Sequence, residues 1–120
     1  MASYVEILGD DRERIEKALR DLIEQQEHRL AEINGELAAY AKVLDQRIVK
    51  TMVFRNVYGA GAQDTLTAET ETEEASKPVT EANRQIEREM QILESFRQAL
   101  EQLQAGASIE ELGEVPVTAS

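Results

Sequence analysis

The residues best suited to chemistry surround the single histidine of the sequence. Glu24 and Glu32 lie four residues to either side of His28, and Glu27 adjoins it. On a helix such neighbours could share one face and bind a metal ion. A di-iron site in a helical bundle requires Glu-x-x-His pairs on several helices, but Gln25 stands three residues before the histidine. We therefore expect a solvated helix face and no metal site.

Catalytic motifs of other classes do not form either. The stretch "GAGA" from Gly59 to Ala62 lacks the Lys-Ser/Thr of a phosphate-binding loop. Glu73 and Glu74 fall in a segment expected to be exposed, where burial would not tune the pKa of a catalytic carboxyl group. The absence of cysteine excludes disulfides and thiolate chemistry. We expect a protein that is not an enzyme and binds no cofactor.

The charge balance narrows the class of partner. The chain has 120 residues and a net charge of −11, with its basic residues scattered. Phosphate backbones and anionic lipid would repel such a chain, so we expect no direct contact with nucleic acid or membrane, and no small-molecule substrate. Without a signal sequence or a long apolar run, we expect a cytoplasmic protein, or part of an assembly built in the cytoplasm.

Two long helices must position whatever surface the protein uses. Asp10, as N-cap with Glu13 in a capping box, predicts a first helix to about residue 50. Pro78 suits the first turn of a second helix that ends near residue 105, before Gly106. The predicted fold class is all-α, an elongated antiparallel helical hairpin or coiled coil. The predicted parts are an N-terminal arm (1–9), the hairpin domain (10–105) with an inter-helix tip (51–77), and a C-terminal arm (106–120) with one short helical turn.

An apolar stripe follows each predicted helix. In the first, positions 15, 26, 37 and 48 repeat every eleven residues, and the polar Gln26 interrupts the stripe as a register-fixing residue does. The second stripe follows heptads with a lapse at Glu89. The pattern leaves open whether the helices pair within one chain or between chains. The predicted assembly interface comprises Ile15, Leu19, Leu22, Leu30, Ile33, Leu37, Tyr40, Leu44, Ile48, Ile86, Leu93, Phe96, Leu100 and Leu103.

The segment between the helices supports two interpretations. The β-branched residues of "IVKTMVFRNVY" and the alternating threonines of "TLTAETET" favour a small β-hairpin. Alternatively, the first helix continues to Tyr58 with Gly59 as its C-cap, and a flexible acidic loop follows. In both cases Met52, Phe54, Val57 and Tyr58 lie at the tip and are predicted to contact a partner.

A hairpin with apolar stripes indicates a structural or interaction protein. Such a coiled-coil component would form a homo-oligomer or dock into a larger complex, by analogy with small parts of phage-like virions and of secretion or injection assemblies. The segments "SYVEIL" and "EVPV" have no evident internal partner and would join neighbouring subunits.

Two alternative functions follow from other features. The order long helix, β-hairpin, long helix between Asp10 and Leu103 resembles a prefoldin subunit in architecture, without a shared residue motif. That resemblance implies a holdase chaperone. The acidity supports a second alternative, an inhibitor that mimics nucleic acid and occupies a basic groove.

Overall fold

A computed structural model describes residues 2–116, and this part of the chain is built from helices. The elements are α1 (Tyr4–Leu8), α2 (Arg12–Tyr58), α3 (Gln63–Gln104) and a short 3₁₀ helix (Ile109–Leu112). Helices α2 and α3 pack against each other as a hairpin, which confirms the predicted fold class. The chain forms two compact units: unit 1 is Met1–Ala31 with Glu87–Ser120, and unit 2 is Glu32–Ile86.

Helix α2 begins one residue later than predicted. Asp11, rather than Asp10, caps its first turn: the Asp11 Oδ1 atom accepts hydrogen bonds from the backbone N–H groups of Glu13 at 3.1 Å and Arg14 at 3.3 Å. An acceptor at this place satisfies amide donors that have no partner inside the helix, and its negative charge suits the positive end of the helix dipole.

A four-residue turn replaces the predicted tip. Helix α2 continues to Tyr58, and Gly59 follows with a φ of +92°, a conformation that favours glycine. The Gly59 carbonyl accepts hydrogen bonds from the Ala62 backbone N–H at 3.3 Å and from the Thr65 hydroxyl at 2.8 Å. The C-cap at Gly59 is confirmed, whereas the flexible loop from Gly59 to Lys77 is wrong.

The β-hairpin is also wrong, because α3 already begins at Gln63 and no strand forms within residues 2–116. Its threonines fit a helix by donating hydroxyl hydrogen bonds to carbonyl groups four residues earlier. Thr70 donates to Leu66 at 3.1 Å and Thr72 to Ala68 at 3.0 Å. Contacts with α2 add to this, and tertiary packing overrides the weak strand preference of β-branched residues.

Pro78 lies inside α3 instead of starting it. Its ring fixes φ near the helical value, but proline cannot donate a hydrogen bond to the Glu74 carbonyl, and its ring crowds that carbonyl. Nearby hydroxyls bond to the backbone: Ser76 donates to the Glu73 carbonyl at 2.6 Å and Thr80 donates to the Ser76 carbonyl at 3.2 Å. The helix continues through Pro78, and the predicted start at this residue is wrong by fifteen residues.

Unit 1 contains a well-formed apolar core. The short elements at both ends of the chain complete it, with Tyr4 of α1 and Leu112 of the 3₁₀ helix buried. The backbone N–H of Val115 donates to the carbonyl of Ala2 at 3.0 Å. The segments predicted to join subunits thus pack on their own chain as far as Pro116, and Val117 lies outside the described residues. The buried core consists of Tyr4, Ile15, Leu19, Ile92, Phe96, Ala99, Leu103 and Leu112.

Capping groups hold these end segments in place. The Ser3 hydroxyl accepts from the Glu6 backbone N–H at 3.2 Å, a capping box whose Ser-x-x-Glu signal in the sequence was overlooked. The short helical turn predicted for the C-terminal arm corresponds to the 3₁₀ helix, which follows Ser108. The Arg12 guanidinium donates to the carbonyl groups of Leu103 and Ala107, so a cation closes the C-terminal end of α3.

The phenol of Tyr4 gives a first prediction. Its hydroxyl is buried and has no hydrogen-bond partner within residues 2–116, and burial raises the pKa of Tyr4. Because an unpaired polar group costs free energy, Tyr4→Phe should raise the free energy of unfolding by about 1 kcal/mol at neutral pH. Urea titration followed by circular dichroism measures this change. A less stable variant would show that the hydroxyl has a partner.

The same group predicts a pH dependence. Above pH ~10 the unfolded chain releases the Tyr4 proton while the folded chain, with its raised pKa, retains it. Ionisation of Tyr4 therefore leaves the free energy of unfolding unchanged below this pH. The free energy of unfolding then declines as pH rises from the unfolded pKa through the raised pKa of the folded chain. Tyr4→Phe should remove this share of the loss of stability at alkaline pH, which urea titrations below and above pH ~10 measure.

Candidate interaction surface

Unit 2 has a thin apolar interior. Small side chains occupy much of the contact between α2 and α3: Ala68, Ala82, Thr51 and Thr65 are buried, together with Ile33. The hydroxyls of Thr51 and Thr72 lie 2.9 Å apart across this contact. Small residues allow close approach of two helices but remove little apolar surface from water. The hairpin in this unit is consequently held by few large side chains.

The large apolar side chains of unit 2 mostly face outward. We name these residues the apolar collar; each is between 39% and 65% exposed. Eight of them lie on α2, and one lies on α3. Members of the collar are Tyr40, Val43, Ile48, Val49, Met52, Val53, Val57, Tyr58 and Leu66.

The collar covers most of the circumference of α2. At 100° per residue, Val49 and Val53 lie roughly 160° from the buried Thr51, on the outer side of the helix, and Met52 and Val57 lie on opposite flanks. A surface helix normally shows one apolar stripe, and a helix that is apolar on all sides is normally buried. The last three turns of α2 therefore carry apolar side chains well beyond the single stripe that the hairpin buries.

An aromatic pair occupies the end of α2. The rings of Phe54 and Tyr58 meet edge to face, with centroids 5.3 Å apart and an interplanar angle of 78°. The Lys50 ammonium lies 5.4 Å from the Phe54 ring centroid, within the range of a cation–π contact. Phe54 is half-buried, whereas Tyr58 is 54% exposed. Rigid amphipathic rings of this kind are frequent anchors in protein interfaces.

Ion pairs neutralise the basic groups beside the collar. Between Gln46 and Gln63 the chain has three basic residues and no acidic one. Acidic side chains of α3 pair with all three, and the pairs are Arg47–Glu71 at 3.4 Å, Lys50–Glu71 at 3.1 Å and Arg55–Glu69 at 2.8 Å. These partly exposed pairs add little stability, but they leave the apolar side chains as the prominent feature of this surface.

No protein-family model, curated protein or solved structure matches this chain. Within residues 2–116, no helix is long and apolar enough to cross a membrane, and no group of three or more His, Cys, Asp or Glu side chains can hold a metal ion.

The structure places most of the predicted assembly interface inside the hairpin and pairs the helices within one chain. Ile15, Leu19, Leu30, Ile33, Leu93, Phe96 and Leu103 are buried; Leu22, Leu37, Leu44, Ile86 and Leu100 are half-buried; Tyr40 and Ile48 are exposed. Burial decreases along the first stripe because the α3 residues that face its later part are small. The stripe therefore serves the intramolecular contact first, and its two exposed members belong to the collar.

The predicted tip residues end up on one helix. Met52, Val57 and Tyr58 are exposed on the last turns of α2, and Phe54 is half-buried beside Tyr58. Sequence reasoning missed the other collar residues outside the predicted stripe. Val49 and Val53 carried a usable signal, because they lie opposite that stripe, but their β-branched side chains were interpreted as strand formers. The omitted residues are Val43, Val49 and Val53 on α2, and Leu66 on α3.

The histidine cluster is exposed. His28, Glu24 and Glu27 border a shallow depression on α2 with Ala31, and the Glu27 carboxylate lies 3.9 Å from the guanidinium of Arg97. These groups are spread along an open helix face. The arrangement is that of solvated charges.

Gln26 and Glu89, the polar residues that interrupt the two predicted apolar stripes, form a buried polar cluster. Gln26 is 4% exposed and Glu89 is fully buried. The Gln26 side-chain amide donates to the Glu89 backbone carbonyl at 2.9 Å and to the Glu89 carboxylate, and the Arg29 Nε atom lies 3.0 Å from Glu89 Oε1. Because Gln26 and Glu89 form these hydrogen bonds only when the two helices are aligned, the cluster favours one register of α2 against α3 in unit 1.

Proposed function

We propose that the protein is a non-enzymatic structural component that acts by burying its apolar collar against another protein chain. The observation that supports this proposal is the exposure of nine large apolar residues in unit 2, concentrated on α2. Exposed apolar residues scattered singly are ordinary, whereas a contiguous group marks an interaction surface.

The size of the collar suits a protein interface. From the exposed fractions of its residues and their usual side-chain areas, the collar presents on the order of 900 Å² to solvent, against about 800 Å² per partner in a standard interface. Aromatic, Met and branched apolar residues also match the composition of interface centres. The collar is thus large enough for a specific and stable contact.

The alternative functions have weaker support. The resemblance to a prefoldin subunit depended on a β-hairpin, and residues 2–116 contain no strand. An inhibitor of a basic groove would present unpaired acidic groups on one face, whereas Glu69 and Glu71 pair with basic residues of α2. We propose assembly into a larger complex made in the cytoplasm, such as a phage-like virion or a secretion apparatus, because small parts of such complexes have a similar amino-acid composition.

Site-specific photo-crosslinking tests this proposal. A benzoylphenylalanine placed at Met52, which is 59% exposed in the collar, should form covalent adducts of defined mass with a protein in the cells that naturally make this chain. The matched control is Met90, which is 57% exposed but lies in unit 1 outside the collar. Adducts with a second copy count as support. Absence of any protein adduct at Met52 would refute the proposal.

A further inference from the structure

The outer side of α2 carries a line of residues, here named the outer stripe, that does not contact α3. Its residues alternate in spacing between three and four, so they lie in one line along the helix, as the contact line of a second helix requires. At its centre are Val49 and Val53, opposite the buried Thr51 and flanked by Met52 and Val57. All members of the stripe are exposed: Ala39, Lys42, Gln46, Val49, Val53 and Asn56.

The residue types in the outer stripe indicate a helical partner. Valine at successive heptad positions provides a narrow apolar contact, and the polar Gln46 and Asn56 on either side limit its length and register. A helix with the same stripe would match this pattern, because a two-fold contact places the same patch on both partners. The outer stripe of one α2 can therefore pair with the outer stripe of another α2.

Charge also favours a second copy. Residues 32–86 hold nine acidic and six basic side chains, a net charge of −3, whereas the remainder of the chain accounts for −8. Two copies would meet the least repulsion in unit 2, and Gln46 to Gln63 contains no acidic residue at all. A strongly acidic partner would instead have to compete with Glu69 and Glu71 for Arg47, Lys50 and Arg55.

The available area suits a reversible dimer. Of the collar, Val49, Met52, Val53 and Val57 lie within about 90° of the outer direction of α2, and in two copies they present on the order of 900 Å². With the exposed polar members of the stripe around them, such a contact belongs to the small class of two-chain interfaces. The outer valines would lie at the centre, and the side chains on the flanks would close around them. This contact would leave the core of unit 1 unchanged.

We propose that a second copy of this chain covers the outer part of the collar, with α2 packed on α2 around Val49 and Val53. This inference rests on the proposed function and names the partner that the collar binds.

Light scattering coupled to size exclusion, over a wide dilution range, measures the contact directly. We expect twice the chain mass of 13.5 kDa for the natural sequence. Val49→Glu combined with Val53→Glu should halve the measured mass while circular dichroism shows the same helicity. The matched control Met90→Glu, an exposed apolar position in unit 1, should leave the dimer intact.

Engineered cysteines provide an independent measurement, because the chain contains no cysteine of its own. Under mild oxidation Val53→Cys should form a disulfide-linked dimer, whereas Met90→Cys should remain a single chain. If the double glutamate variant fails to fold, the Val53→Cys result decides the question. Equal crosslinking of the two cysteine variants would refute a contact centred on Val53.

Other outcomes overturn the inference in distinguishable ways. A single-chain mass at every concentration, or a mass of three chains, would refute the two-copy contact. If the chain is a monomer and benzoylphenylalanine at Met52 captures a different protein, the proposed function stands and the second-copy inference fails. If Met52 captures nothing in cells, both fail.

Discussion

Replacing Gln26 with leucine should lower the free energy of unfolding by about 3 kcal/mol, although leucine is the more hydrophobic side chain. In the folded chain the Gln26 amide donates to the fully buried Glu89 carboxylate. Without this donor, the buried Glu89 carboxylate keeps only its ion pair with Arg29. Denaturant titration followed by circular dichroism measures the loss.

The effect should disappear in a suitable double variant. Combining Gln26→Leu with Glu89→Leu removes both polar partners, and Arg29, with 40% of its side chain exposed, can turn toward solvent. Buried polar clusters replaced by apolar residues of similar size often fold as stably as the original. The double variant should therefore recover most of the loss, which corresponds to a coupling energy of about 3 kcal/mol in a double-mutant cycle.

Gln25→Leu provides the matched control, because Gln25 is the adjacent glutamine and is exposed. It should change stability by less than about 0.5 kcal/mol. If Gln26→Leu has an equally small effect, or if the two leucine substitutions simply add, Glu89 does not depend on Gln26 and the register role of the cluster is wrong.

This cluster also shows what the sequence could predict. Gln26 and Glu89 each interrupt an apolar stripe, and periodicity located both positions correctly. Periodicity describes one helix at a time, so it did not show that the two interruptions face each other. That required the register of α2 on α3, which a four-residue turn at Gly59–Ala62 determines. The helices over residues 10–50 and 78–105 and their inward faces were thus predictable, whereas their extensions toward the turn and their pairing were not.

The site was harder to predict than the fold. Valines at 49 and 53 favour strands by intrinsic preference, and Pro78 is a common helix start, so both local signals argued for a break between the helices. Helix continuity depends on contacts between distant residues, including Thr51 with Thr72. The exposed collar follows from that continuity, because a strand or loop would have arranged the same valines differently.

Replacing Phe96 with alanine should lower the free energy of unfolding by about 4 kcal/mol, a larger loss than Gln26→Leu causes. Its ring is 2% exposed in the core of unit 1, beside the buried Ile15 and Leu19. Truncation would leave a cavity that neighbouring helices cannot fill without moving. Thermal and urea unfolding followed by circular dichroism measure this loss at any protein concentration.

Met52→Ala is the informative comparison, because the removed side chain is also large and apolar but lies in the collar with 59% of its surface exposed. In dilute solution, where single chains predominate, it should cost less than about 0.5 kcal/mol. At higher concentration the loss should grow, because a contact that forms only in the folded state stabilises that state by mass action. Phe96→Ala should show the same loss at both concentrations. A concentration-independent effect of Met52→Ala would mean that Met52 supports its own chain and not an interface.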